Sequence, residues 1–368
     1  MTIIPGQRRL SLDFFRGATM FLLVGESTRL YDFWLKYAPE GSWIQAIGLQ
    51  FHHDPWNGLR FWDLIQPFFM FIVGVSMAIS VANRQAKGDS KWEITNHILR
   101  RCIILFLLGT SLHCFYNRQL VFELWNVLTQ LSFTILLAYL IMNWPVRFQF
   151  MLSVGLLLLT EVLYRFTNIP GFDEAFVIGK NFGSFVDMLL MGKINDGGWV
   201  TINCIPTAVH TIWGVLAGKA LLEDKSQGKI LKKFLLAGVV ALVVGYGLDW
   251  FHITPIIKRI STSSFVLASA GWAFLTLGAS FWYIDIKGHK SWVAFFAIVG
   301  MNPIFIYMFA QTVGNQWFNG AVNIFVAGTL QAINLPETVV HISAALATLA
   351  LEWSICYWLY KKKIFIKI

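Results

Sequence analysis

Apolar stretches of about 20 residues, such as those containing "QPFFMFIVGVSMAIS" (66–80) and "LLAGVVALVVGYGL" (235–248), recur from end to end of this 368-residue chain. No other feature restricts its fold so strongly. A hydrocarbon layer about 30 Å thick holds no water for backbone N–H and C=O groups. Runs of this length therefore cross it as helices, whereas a membrane barrel would show alternating segments of about ten residues. Composition removes the soluble alternative: 56% of the residues are hydrophobic and 13% charged, against roughly a quarter charged in an ordinary soluble domain. The expectation is an all-α, polytopic membrane bundle, with residues 1–368 forming a single integral-membrane domain.

Ten spans are predicted, at roughly 14–33, 60–82, 97–116, 124–142, 147–165, 203–222, 232–250, 262–284, 291–313 and 337–360. The N-terminal stretch has arginines but no short apolar core before a small-residue cleavage site, so no removable signal peptide is expected. About 20 of the 29 lysines and arginines fall on one side, including Arg8, Arg9, Arg147, Lys225, Lys287 and Lys367. The positive-inside bias makes that side cytoplasmic and puts both termini there. Segments 34–59, 166–202 and 314–336 then face outward, the last with room for a short interfacial helix. A multi-pass protein of a bacterial inner membrane fits this pattern. The net charge of +9 resides in short clusters between spans, which is topology and not a nucleic-acid face. Cys102, Cys114, Cys204 and Cys356 stand singly, so neither a disulfide nor a metal site is expected.

Charged groups inside a span cost about 2.5 kcal/mol or more near the bilayer centre, so each calls for a partner or a cavity. Asp13 and Arg16, at i and i+3, either pair with each other or meet a cytoplasmic cofactor. Glu26 and Arg29 repeat the spacing at the outer end of the first span, as an ion pair or as a carboxylate aimed at a reaction centre. Asp63 precedes Pro67, which can bend its helix, and is either an N-terminal charge favoured by the helix dipole or a partner for chemistry. His210 is a core histidine or a ligand-facing one, and Gly214 with Gly218 forms a helix-packing pair. His52 and His53 are adjacent and point about 100° apart on a helix; without HxxxH or HExxH spacing they do not form a metal site. His53, close to Asp54 and Asp63, is instead placed to hold or pass a proton near neutral pH.

Several stretches resemble the transmembrane acyltransferases of the heparan-α-glucosaminide N-acetyltransferase family and its bacterial relatives. They are "RLSLDFFRG" (9–17), "FHHDPWNGLRFWDLIQPFFMFIVG" (51–74), "IPTAVHTIWGVLAGK" (205–219), "PIIKRISTSSFVL" (255–267) and "YIDIKG" through "GMNPIFIYMF" (283–309). The resemblance implies transfer of an acetyl group from cytoplasmic acetyl-CoA, the co-substrate, to the amine of a glucosamine-type sugar on the far side. No metal is implied. The family's active-site histidine falls on His53, and Asp63 joins it as a catalytic candidate. Its functional asparagine late in the first span falls on Ser27, beside Glu26, a departure that leaves these two as further catalytic candidates. Asp13, Arg16, Arg100, Arg101, Lys232 and Lys233 become candidate contacts for the donor, with the Arg100–Arg101 and Lys232–Lys233 clusters meeting its phosphates. His52, Asp54, Trp56, Asn57, His210, Lys258 and Asn302 become candidate acceptor contacts, with Lys258 and Arg259 meeting either an anionic acceptor or lipid headgroups. The family's large lumenal domain and extra leading helix have no match in this sequence, so nothing that depends on them carries over. Membrane lipids are expected neighbours, nucleic acid is not, and a homodimer is compatible. Two rivals stay open: a secondary transporter of a small sugar, and an O-acyltransferase of an envelope polysaccharide.

Overall fold

A computed structural model describes residues 9–223 and 226–366. Arg8, Lys225 and Lys367, counted above toward topology, lie outside the described residues. Within them the chain is helical throughout, with no strand. The first half comprises α1 (Leu10–Ser27), α2 (Leu30–Tyr37), α3 (Trp43–Gln50), α4 (Ile65–Ala86), α5 (Lys91–Asn117), α6 (Val127–Ile141) and α7 (Val146–Phe166). The second half comprises α8 (Phe182–Met191), α9 (Cys204–Glu223), α10 (Gln227–Trp250), α11 (Ser263–Ser280), α12 (Val293–Gly300), α13 (Pro303–Phe309), α14 (Asn319–Ala332) and α15 (Glu337–Lys361).

Local chemistry sets several helix starts. Ser90 and Glu93 form a reciprocal capping box at α5, with the Ser90 hydroxyl accepting from the Glu93 N–H and the Glu93 carboxylate from the Ser90 N–H. The Asn126 side chain accepts from the Leu128 N–H at 2.8 Å and starts α6. Pro67 does not bend its helix. It lies in the first turn of α4, where a missing N–H leaves no intrahelical bond unmade, and Phe61–Ala86 runs as one 26-residue span.

Seven helices among the described residues are long and apolar enough to cross a membrane, and a bent pair, Val293–Gly300 with Pro303–Ala332 at 75°, makes an eighth. The protein is integral and multi-pass. Of the ten expected spans, α6 has 15 residues and falls short of that length, and α1 includes Asp13, Arg16 and Glu26 among its 18 residues. The segment 314–336 is not a loop with a separate short helix: α13 continues through a π-helical stretch, Ala310–Phe318, directly into α14.

The spans divide into an inner and an outer set. In Phe61–Ala86, α9 and the helix beginning at Ser263, 72% of the most apolar window is buried, against 22–28% for α5, α7 and α10. Residues exposed on the latter, such as Ile103, Leu158 and Val243, are apolar, as contact with lipid requires. Small residues bring the inner helices together. A Cβ on Gly74 would fall on the Thr211 carbonyl oxygen, and one on Gly214 on the Phe71 carbonyl oxygen, so α4 and α9 touch backbone to backbone. Gly214→Val is therefore expected to destabilise the bundle by about 3 kcal/mol, measured as a lower thermal midpoint in detergent. Gly155→Val on α7, where nothing lies within 4 Å, is its neutral control. Equal midpoints would mean that the α4–α9 contact gives way without cost.

Candidate active site

The loop "HHDPWNGLRFWD" forms a compact frame around one carboxylate. Asp54 Oδ1 accepts from the Trp56 N–H at 3.1 Å, closing a turn, and a Cβ on Gly58 would collide with the Asp54 carboxyl group. The Gly58 N–H donates to the Ile256 carbonyl at 2.9 Å, tying this loop to the one that follows α10. The chain then re-enters the bundle through a 3₁₀ turn, Phe61–Leu64, which delivers Asp63 at 1% exposure. Asp63 Oδ2 accepts from the backbone N–H groups of Arg60 at 3.0 Å and Asp54 at 3.2 Å, leaving Oδ1 for His53 Nδ1 at 2.9 Å. The Arg60 guanidinium donates to the His53 carbonyl at 3.2 Å.

Lys258 arrives from the loop before α11. Its Nζ stands 3.0 Å from His53 Nδ1 and 3.6 Å from Asp63 Oδ1, and it is 7% exposed. Nδ1 cannot donate to Asp63 and accept from Lys258 at once. Asp63, held by two backbone donors, is the acceptor, so its Oδ1 takes the Nδ1 proton and the Lys258 ammonium rests against the carboxylate and the Trp199 ring face, 5.3 Å away. This tautomer leaves the His53 Nε2 lone pair without a proton. Trp199 meets the imidazole edge-on at 5.9 Å.

Burial, followed by the nearby Lys258 ammonium, pushes the His53 imidazole down to about 4, although hydrogen bonding and attraction to Asp63 oppose the change. Burial also lowers Lys258 to about 8 against the pull of Asp63 and Glu26. At neutral pH the pair is thus a neutral imidazole beside a cation. Lys258→Met, which deletes the charge and keeps the stem, is expected to raise the His53 midpoint from about 4 part of the way toward its ordinary value, since burial remains. Imidazole NMR titration reads this directly, and an unmoved midpoint would remove the ammonium as a cause.

His53 and Lys258 open onto a cavity of about 200 Å³ between α1, α4, α6 and α13. Its polar wall includes Glu26, whose Oε1 accepts from Trp62 Nε1 at 2.8 Å, and the hydrogen-bonded pair Gln66 and Gln130. Trp125, Trp199 and Tyr307 add aromatic surface. Trp125 is fixed by Asp187, whose Oδ2 accepts its Nε1–H at 2.7 Å while Oδ1 accepts the Thr201 N–H at 3.0 Å.

Of the residues singled out in the sequence, the structure brings His53, Asp63, Glu26 and Lys258 together. Glu26 does not pair with Arg29. Helix α1 ends at Ser27, Arg29 turns to φ +62°, and its guanidinium goes to Asp32 at 3.4 Å. Ser27 is buried away from the cavity, its hydroxyl donating to the Val24 carbonyl at 2.7 Å. His52 turns outward to the Gly48 carbonyl and Asp32. Asp54 is a loop former, Trp56 packs beside Tyr164 and Val200 with its N–H on the Phe176 carbonyl, and Asn57 is exposed. His210 is a fully buried core histidine bonded to the Thr207 carbonyl and the Ser269 hydroxyl, because α9 lies inside the bundle. Asn302 is equally buried and anchors the extended segment after α15, donating to the Ile364 carbonyl and accepting from the Ile366 N–H. Lys258 is buried beside His53 and Asp63, so its charge is met inside the protein.

The basic clusters lie toward the opposite ends of these helices. Asp13 and Arg16 form the i,i+3 ion pair at 2.7 Å. Arg100 is exposed and Arg101 turns inward, its Nε without an acceptor, near enough for the Arg16 charge to act on it. Lys232 and Lys233 are exposed on α10, which packs on α11, whereas α5 packs on α6. The two clusters therefore stand on different helix pairs. Trp125, Trp199, Tyr307 and the two glutamines escaped the sequence reading, since one tryptophan among 16 carries no local mark of its role.

No family model matches the chain. Over 97% of its length the chain is 25% identical to heparan-alpha-glucosaminide N-acetyltransferase of Mus musculus, and over 100% it is 25% identical to the Homo sapiens protein of the same name. The chain is thus similar to these acetyltransferases over nearly its whole length. It spans about three fifths of their length, 60% and 61%. The aligned relatives thus cover the whole loop, cavity and helix set just described.

Proposed function

We propose that this relative of the N-acetyltransferases is a transmembrane acetyltransferase that moves an acetyl group from acetyl-CoA to the amine of a glucosamine-type sugar, with His53 as the acetyl carrier. The observation that carries this reading is the His53 geometry. Asp63 holds Nδ1–H and leaves the Nε2 lone pair bare in a small cavity, which suits a nucleophile. An imidazole at about 4 is a poor acceptor for a sugar ammonium proton, but it is unprotonated at neutral pH and free to attack.

In the first half-reaction Nε2 bonds to the thioester carbonyl carbon, the C–S bond breaks, and the thiolate leaves to be protonated. Asp63 stabilises the acylated, positively charged ring through Nδ1–H. In the second, the sugar ammonium gives a proton to Glu26 or water, its nitrogen attacks the acetyl carbon, the bond to Nε2 breaks to restore neutral His53, and the new amide nitrogen loses its second proton to water, which offsets the proton taken up by the thiolate. The sum is one amide, one thiol and one proton. Lys258 lines the same cavity and brings positive charge beside the ring on its Nδ1 side, and the tryptophan faces offer apolar surface for a sugar ring. The charge bias of the loops supports a donor entering from the cytoplasm and an acceptor on the other side.

Isotope exchange tests the carrier role. Without any acceptor, the purified protein is expected to exchange labelled CoA into acetyl-CoA, and His53→Ala to lose that exchange. Normal transfer to glucosamine without exchange would make the transfer direct and reduce His53 to another role.

A further inference from the structure

One buried acid takes no part in the chemistry above. Glu352, in the middle of α15, is 0% exposed, and neither carboxylate oxygen has a hydrogen-bond donor. Among the described residues no lysine, arginine or histidine reaches it, and the other titratable group beside it is Cys356, one turn on. A lone carboxylate inside a membrane span is costly, so something positive has to accompany it.

The neighbours point to what that is. Across from Glu352 runs the π-helical stretch Ala310–Phe318, a wide turn of the kind found at functional sites. At its centre Gly314 has no side chain, and the space a Cβ would fill lies 3.1 Å from Glu352 Oε1, 3.4 Å from Asn319 Oδ1 and 3.4 Å from the Phe309 carbonyl oxygen. Asn319 Oδ1 is itself buried without a donor, while its amide is spent on the Ser27 carbonyl at 2.8 Å. The Ser27 hydroxyl lies beside the same carboxylate and also reaches the Val24 carbonyl, at 2.7 Å. The three atoms nearest this space are thus oxygens, one of them on a carboxylate. That is a donor set for a small, hard, singly charged cation, which would also cancel the buried charge.

We propose that Glu352, Asn319, the Phe309 carbonyl and Ser27 form an intramembrane site for a small monovalent cation, Na⁺ or a proton. The site joins α15, the π-helical stretch and the end of α1. Ser27 follows Glu26 directly, so occupancy fixes the helix end from which Glu26 enters the cavity.

The test needs no acetyl transfer and so stands or falls independently of the proposed reaction. Purified protein in detergent at pH 7 is melted while NaCl replaces choline chloride at constant ionic strength, and its infrared spectrum is recorded for the C=O stretch of a protonated buried carboxyl group. Bound Na⁺ is expected to raise the thermal midpoint by on the order of 3 °C in the wild type and not in Glu352→Gln. A bound proton is expected to give a midpoint indifferent to Na⁺, together with a protonated-carboxyl band that Glu352→Gln removes. Absence of both signals overturns the site. If Glu352→Gln does not fold, Asn319→Ala keeps the acid and deletes one oxygen. It is then expected to weaken the Na⁺ response or shift the carboxyl band, and identical behaviour to wild type overturns the proposal as well.

Discussion

His53→Ala is expected to keep the helical bundle folded and to lower acetyl transfer by about 10³-fold or more. The fold should survive because His53 lies in a connection outside the spans, with a third of its side chain, 34%, open to the cavity. Its removal leaves Asp63 with both backbone donors and with Lys258 beside it, so no buried charge is stranded. The activity should not survive, because the neighbouring groups each lack what Nε2 supplies. Lys258 is a cation at neutral pH, and Glu26 already accepts from Trp62. Turnover and thermal midpoint measured on the same sample check both halves. Turnover within a few-fold of wild type would remove the imidazole from the chemistry, whereas a collapsed midpoint would show that the loop depends on it for structure.

Asp63→Asn is expected to cost about 10⁴-fold in turnover, as the same exchange does where an aspartate holds the tautomer of a serine-protease histidine, and also to lower the thermal midpoint, since the buried Lys258 ammonium loses its nearest carboxylate. The amide oxygen can still accept from the Arg60 and Asp54 N–H groups, so the loop keeps its frame. The amide nitrogen then faces His53 Nδ1 as a donor. The ring must turn its lone pair to Nδ1 and carry its proton on Nε2, which blocks attack into the cavity. Nitrogen NMR of labelled histidine distinguishes the two tautomers. A variant with reduced turnover but an unchanged His53 tautomer would mean that Asp63 acts through its charge and not through the proton it holds.

How far the sequence alone reached depended on whether an interaction was local. The apolar runs determined an integral, multi-pass helical protein, because a backbone in hydrocarbon has few ways to satisfy its own polar groups. The relation of His53 to Asp63 was legible too, since they stand ten positions apart across turn and 3₁₀ helix and their meeting is set within one loop. What lay far apart along the chain was not. Lys258 was visible as a cation on an unexpected side, yet only packing of the loop before α11 against the histidine loop sets it 3.0 Å from a residue 205 positions away. His210 and Asn302 looked like site residues because polar groups in apolar runs always do. Burial and satisfied hydrogen bonds, which belong to neighbouring elements, decided otherwise. The spacing of Glu26 and Arg29 allowed either an ion pair or a carboxylate turned inward; the pair requires a helix continuing through both, and the chain leaves the helix at Ser27. The unpartnered oxygens at Glu352 could not be read from the sequence at all, since an atom lacks a donor only with respect to everything packed around it. The sequence by itself determined that this chain lives in a membrane and where its histidine loop begins; the tertiary structure decided which distant polar groups face one another, because only the packed bundle removes the water that would otherwise satisfy each of them alone.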